Sequence, residues 1–251
     1  MTDELRGRVA LVTGGAGGLG SATCRALAEA GAEIVVADVD EHGGAALAHD
    51  LGGHFVKADV SDLAANQAMV ARAVELAGGI DLAYLNAGVT TGCGVGEGFD
   101  LDQYRRAMGV NLDGVVFGVH AVLPALRERG GGAIVATASL AGLTGVPMDP
   151  IYAANKHGVV GLVRSLGPAL VAEGVRINAV CPGFSESPMV DPIRDELIEQ
   201  GLQIIPAEDV ADVVVSLFAG DMTGECWFVQ PGRSGAFRFR NVPGPRMEPA
   251  A

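Results

Sequence analysis

Short apolar runs alternate with longer stretches of helical periodicity along the chain. The runs are Arg8–Thr13, Glu33–Asp38, His54–Ala58, Leu82–Asn86, Ala133–Ala138, Arg176–Val180 and Glu225–Val229. They are continuous rather than alternating, as expected of strands covered on both faces. Helical patterns fall between them, near Ser21–Ala30, Glu41–Leu51, Leu63–Ala77, Leu101–Arg129, Ile151–Glu173, Pro192–Gly201 and Ala207–Ala219. This order predicts an α/β fold, a doubly wound parallel sheet of about seven strands with helices on both faces. No linker or repeat interrupts it, so residues 1–234 read as one domain. Residues 235–251 hold three Arg and three Pro and read as a partly irregular tail. Its Phe237 and Phe239 are expected to cover a site or pack on a neighbouring subunit, with a frayed end as the alternative.

Charge narrows the partners. The chain of 251 residues carries 17 basic and 30 acidic residues, a formal net charge of −13. Such a surface argues against nucleic acid and anionic membranes. No apolar run reaches the ~18 residues of a membrane span, and Met1–Arg8 lacks the apolar core of a signal peptide. Cys24, Cys93, Cys181 and Cys226 show no metal-ligand spacing, nor do the five His. The expectation is a cytoplasmic protein with reduced thiols and no metal. Only two residues of the chain are Lys, Lys57 and Lys156.

The first strand runs into Thr13-Gly14-Gly15-Ala16-Gly17-Gly18-Leu19-Gly20, and a helix follows. Gly15, Gly17 and Gly20 fit G-x-G-x-x-G, while Gly14, Gly18 and Gly20 fit T-G-x-x-x-G-x-G. Bare backbone here lets a pyrophosphate approach the helix N-terminus, where free N–H groups and the dipole meet its charge. Asp38 ends the second strand, where a carboxylate can accept both ribose hydroxyls of an adenosine and repel a 2′-phosphate. No basic residue stands at Gly17 or Val39, so the expected cofactor is NAD. A turn beginning at Asp38 is the competing explanation.

Tyr152 and Lys156 are four residues apart on a predicted helix and share one face. Ser139 closes a strand of the same sheet. A phenol needs its pKa lowered by ~3 units to act as a base at neutral pH, about 4 kcal/mol. One cation at ~4 Å supplies about that much at an effective dielectric near 20. Lys156 is therefore expected to lower the Tyr152 pKa.

Together these residues resemble the short-chain dehydrogenase/reductase family, from about Arg6 to Gly232. Thr13–Gly20 matches its cofactor loop, and Asn86-Ala87-Gly88 its N-A-G signature. Asp59, with Val60, stands where the family contacts adenine, and Asn111 where it has a catalytic Asn. Ser139, Tyr152 and Lys156 match its remaining catalytic residues. Pro182-Gly183 matches the turn over the nicotinamide, and Ser187 stands where a Thr is usual. Leu85 replaces a second Asn, and Gln230-Pro231-Gly232 replaces a D-G-G.

The resemblance implies hydride transfer between NAD(H) and a secondary alcohol or ketone. Tyr152 would be the acid/base, and Ser139 would bind the substrate oxygen. Lys156 would also bind the nicotinamide ribose, and Asn111 would order a water beside it. A catalytically silent NAD(H)-binding regulator is the alternative, and the intact set of four residues argues against it. The substrate wall is expected to include Leu140, Met148, Phe184 and Met189, with Arg194 the nearby cation, favouring a rather apolar substrate. Asp149 reads as a turn or cap residue or a substrate contact, and Asp81 as a turn or cap. The long helices carry apolar residues beyond one stripe, with small residues at Ala153, Ala154, Gly158 and Gly161. With the family's habit of pairing these helices, this predicts a homo-oligomer, a tetramer or dimer.

Overall fold

Residues 5–240 are described by the structure, a computed structural model. Seven apolar runs form strands close to their expected positions: β1 (Val9–Thr13), β2 (Glu33–Asp38), β3 (His54–Lys57), β4 (Leu82–Leu85), β5 (Gly132–Thr137), β6 (Val175–Pro182) and β7 (Cys226–Gln230). They pair in parallel in the order β3-β2-β1-β4-β5-β6-β7. An eighth strand, β8 (Arg233–Ala236), pairs antiparallel with β7 at the edge. It carries no apolar run, which is why the periodicity does not mark it and the expected boundary at 234/235 cuts through it. An edge strand needs only one row of backbone partners, and β7 provides it. Beyond β8, the amide of Phe237 donates to the Cys226 carbonyl at 2.7 Å, and the Arg164 guanidinium lies 3.8 Å from the Phe239 ring centroid. The start of the tail is therefore packed on its own subunit. Residues 241–251 lie outside the described residues.

Successive strand residues face opposite layers. Leu11, Val35, Ile134 and Ile177 pack against α3 (Leu63–Ala77), α5 (Gly114–Glu128) and α6 (Pro150–Leu170). Val12, Ile34, Val36 and Val135 pack against α1 (Gly18–Glu29), α2 (Glu41–Asp50) and α8 (Ala207–Ala219). Asp40 caps α2 and Asp62 caps α3, each accepting from a backbone N–H of the first turn.

The expected helix Leu101–Arg129 is divided. α4 (Leu101–Met108) and α5 are joined by a π-helical turn, Gly109–Asp113, with Asn111 at its centre. The stretch Leu101–Glu128 is long and apolar enough to cross a membrane, yet more than half of its apolar window is buried within the fold. The short α7 (Arg194–Glu199) follows β6 on a long connection. That connection is held at its neck by a bridge between Ser185 and Ile205.

At the far end of the sheet, Asp81 is almost fully buried. It accepts from the Val9 amide at 2.9 Å and from Arg129 Nε and Nη2 at 3.1 Å each, with Arg8 Nη1 at 3.5 Å. Burial alone would push its pKa up. The hydrogen bonds from Arg129 and Val9 and the two Arg charges hold it below the ordinary carboxylate value. It ties β1 to the end of α5, more than the turn or cap expected.

Candidate active site

The strand order reverses between β1 and β4, and a cleft of about 700 Å³ opens at the carboxyl ends of the strands there. Doubly wound sheets place their ligands at such a point. One wall is the glycine loop, with Gly14, Ala16, Gly17, Gly18 and Leu19. Its conformation requires glycine: Gly14 has φ +62°, and a Cβ there would meet the Ala87 Cα at 2.8 Å. A Cβ on Gly20 would collide with the Gly14 carbonyl, so Gly20 serves loop-to-helix packing and does not line the cleft. A Cβ at Gly17 would have only the Gly14 carbonyl, at 3.4 Å, within reach. No side chain caps α1 at Gly17, and its first turn has no acidic residue. Its N-terminal amides and dipole are thus left for an anion, and the loop fits a dinucleotide pyrophosphate.

Asn86 holds this wall together. Its Nδ2 donates to the Thr13 and Gly14 carbonyls at 3.1 and 3.2 Å, and its Oδ1 lies 3.1 Å from the Thr137 hydroxyl. On the adenosine side stand Asp38, Asp59 and Val60. One Asp38 oxygen accepts from the Ala16 amide and the other from the Asp40 amide, both at 2.9 Å. A carboxylate has about four acceptor positions, so capacity remains for a ribose. Asp59 accepts from the Ser61 amide and hydroxyl at 2.9 and 2.7 Å. Val39 is 61% exposed at the rim, where a basic residue would meet a 2′-phosphate.

Ser139, Tyr152 and Lys156 meet across the cleft. Ser139 follows β5, its Oγ accepting from the Ala141 amide at 3.1 Å. Tyr152 sits in the first turn of α6, and Lys156 one turn on. Lys156 is buried, donates to the Thr137 carbonyl at 2.8 Å, and has its Nζ 5.6 Å from the Tyr152 ring centroid. Burial brings its pKa down to about 8. Tyr152 departs from expectation, because burial pushes its phenol up to about 12 despite a hydrogen bond from Ser139, and the Asp149 charge adds to the rise. Lys156 does not offset this: its ammonium is turned to the Thr137 carbonyl and lies 5.6 Å from the ring centroid.

Asn111 stands in the π turn between α4 and α5. Its Oδ1 accepts from the Val89 amide at 2.8 Å and its Nδ2 donates to the Val89 carbonyl at 2.9 Å. These two bonds tie the side chain to the loop after β4. Gly88 keeps the space between them: a Cβ there would lie 3.3 Å from Asn111 Oδ1 and 3.8 Å from Lys156 Nζ.

Pro182, Gly183, Ser187 and Met189 line the cleft as expected, as do Ala87 and Gly88. Leu140, Met148 and Phe184 do not line it. Met148 is 75% exposed and Phe184 39%, while Leu140 is taken into a 3-10 turn behind Ser139. Arg194 is paired with Asp191 at 3.2 Å and Glu186 at 3.8 Å, outside this wall. Besides Lys156, the cations that line the cleft are Arg105 and Arg106 of α4; Val190 lines it as expected, and Ser185 is a further wall residue. In sequence the two Arg look like a solvated helix face. The signal for them was position: Arg106 precedes Val110, a wall residue, by one turn.

Comparison with known proteins agrees with this geometry. The short chain dehydrogenase family profile matches residues 8–198. Cyclohexanol dehydrogenase of Acinetobacter sp. (strain SE19) is 34% identical over 229 residues, 88% of this chain and 91% of that protein. Levodione reductase of Leifsonia aquatica is 36% identical over 241 residues, 88% of this chain and 90% of that protein. The crystal structure of a 3-ketoacyl-(acyl-carrier-protein) reductase from Brucella melitensis complexed with NADH superposes with a TM-score of 0.84. It is 28% identical and covers 91% of this chain and 99% of its own. With the glycine loop, the doubly wound sheet and the Ser139, Tyr152 and Lys156 cluster in place, the chain belongs to the short-chain dehydrogenase/reductase family of oxidoreductases.

Proposed function

We propose that the protein interconverts an uncharged, rather apolar secondary alcohol and its ketone, with NAD(H) as cofactor and Tyr152 as the acid/base. The observation that carries this is the meeting of Tyr152, Ser139 and Lys156 at the end of a cleft whose other end is the glycine loop. Val89, Met189 and Val190 make the nearby wall apolar, and two relatives are named for cyclohexanol and levodione. A cyclic ketone is the favoured class. Asp38 beside an exposed Val39 supports NAD over NADP.

When bound, the nicotinamide supplies the hydride donor or acceptor. The chain handles the proton and the charge. The Ser139 hydroxyl donates a hydrogen bond to the substrate oxygen, which stabilises charge gathering there. The Tyr152 phenol gives a proton to that oxygen in reduction and takes it back in oxidation. With its pKa raised, Tyr152 is protonated at neutral pH, the form reduction needs. Lys156, held by Thr137, brings a cation to the phenolate side of the transfer. Asn111 fixes Val89 and with it the mouth of the cleft.

Ala154 and Gly161 are exposed on α6, and Val116 on α5, and these faces support pairing of subunits into a dimer or tetramer. Tested with NADH, a panel of cyclic ketones should be reduced in preference to phosphorylated or dicarboxylate ketones. The opposite preference would reject the apolar reading.

A further inference from the structure

We propose that Asp149 is a positioning residue for the reaction, fixing the main chain at Tyr152 and setting by its negative charge the pH range in which Tyr152 works. The inference rests on the assignment of Tyr152 as the acid/base. Asp149 is the N-cap of α6, and its Oδ1 accepts from the amide of Tyr152 itself at 2.9 Å. Its carbonyl also takes the Ala153 amide at 3.0 Å, and Pro150 follows as the first helical residue. The main chain bearing the phenol is therefore pinned at Tyr152 by one side chain. Tyr152 lies in the first turn, where the positive end of the helix dipole favours a phenolate. A carboxylate at the cap works against that dipole. The charge of Asp149 contributes to the raised phenol.

Few other charges compete. On α6, Lys156 faces the ring at 5.6 Å. From β5 and the π turn come Ser139 and Asn111, both neutral. From β6, Cys181 lies near Lys156, its thiol pushed up by the hydrogen bond it donates to Cys226 and by burial, and so uncharged. Arg105 and Arg106 of α4 line the same cleft, and Asp38 and Asp59 lie on its adenosine side.

Asp149→Asn and Asp149→Ser keep a capping acceptor and remove the charge, whereas Asp149→Ala removes both. The ultraviolet absorbance of tyrosinate, titrated in the whole chain and corrected by Tyr152→Phe, reports Tyr152 without any substrate. Both neutral capping variants should move the transition down by about half a pH unit to one unit. Their thermal midpoints should stay near wild type, and Asp149→Ala should lower the midpoint as well as the transition. A transition at the same or a higher pH in the capping variants, or absent from both, overturns the proposal. Turnover of a cyclic ketone by Tyr152→Phe overturns the acid/base assignment and this inference with it. An inactive Tyr152→Phe with an unmoved transition overturns the role of Asp149 alone.

Discussion

Asp38→Ala tests how the protein chooses its cofactor. The wild-type carboxylate lines the adenosine end of the cleft, with both oxygens already accepting backbone N–H bonds at 2.9 Å. A 2′-phosphate about 4 Å away would be repelled by about 4 kcal/mol per unit charge at an effective dielectric near 20. The cleft is open and salt screens it, so about half of that, ~2 kcal/mol, should reach the binding free energy. Wild type should then prefer NAD+ over NADP+ by about 30-fold or more in kcat/KM. Asp38→Ala should reduce that preference to a few-fold, raising KM for NAD+ and lowering it for NADP+. The variant also loses two hydrogen bonds, each of about 1 kcal/mol. Its thermal midpoint must therefore be followed alongside, with Asp38→Asn as a neutral control that keeps one acceptor. Wild-type preference for NADP+, or a ratio unchanged in a folded Asp38→Ala protein, would refute the reasoning.

Other outcomes follow from the same geometry. Gly14→Ala should weaken NADH binding measured by fluorescence, since φ is +62° and the new Cβ meets backbone, with about 1–2 kcal/mol of conformational strain alone. Asp81→Asn should cost about 1–2 kcal/mol in denaturant unfolding, because a neutral amide weakens the charge-assisted bonds from Arg129 and Arg8, whose own heads stay solvated. The folded Asp81 pKa is depressed, so its contribution is complete above the ordinary carboxylate value and is lost as pH falls through the lower folded value. Unfolding free energies of wild type and Asp81→Asn should accordingly converge in acid. Met148→Ala should leave kcat/KM within about two-fold, as expected of an exposed side chain outside the cleft.

Buried parallel strands are legible because both faces exclude polar residues, and β1 is apolar at every position but Thr13. Tyr152 and Lys156 were legible because helical spacing fixes a shared face without any tertiary knowledge. β8 was not, since edge pairing is decided by the backbone of β7 and leaves no apolar signature. The π turn at Asn111 was hidden for a related reason: one extra residue in a turn barely disturbs the apolar stripe. Met148 and Phe184 stand exposed outside the cleft lining, as apolar loop residues often do. Arg105 and Arg106 drew no attention, as charges on a helix face that happens to border the cleft. The burial that raises the Tyr152 phenol was not legible, because the sequence shows the nearby cation but neither burial nor the Thr137 carbonyl that holds Lys156.

Tyr152→Phe bears most directly on the central claim. The substitution removes one hydroxyl and leaves the glycine loop, Asp38 and Lys156 in place. NADH binding should remain near wild type, and ketone reduction should fall by on the order of 1,000-fold. Turnover close to wild type in a variant that binds NADH would contradict the account.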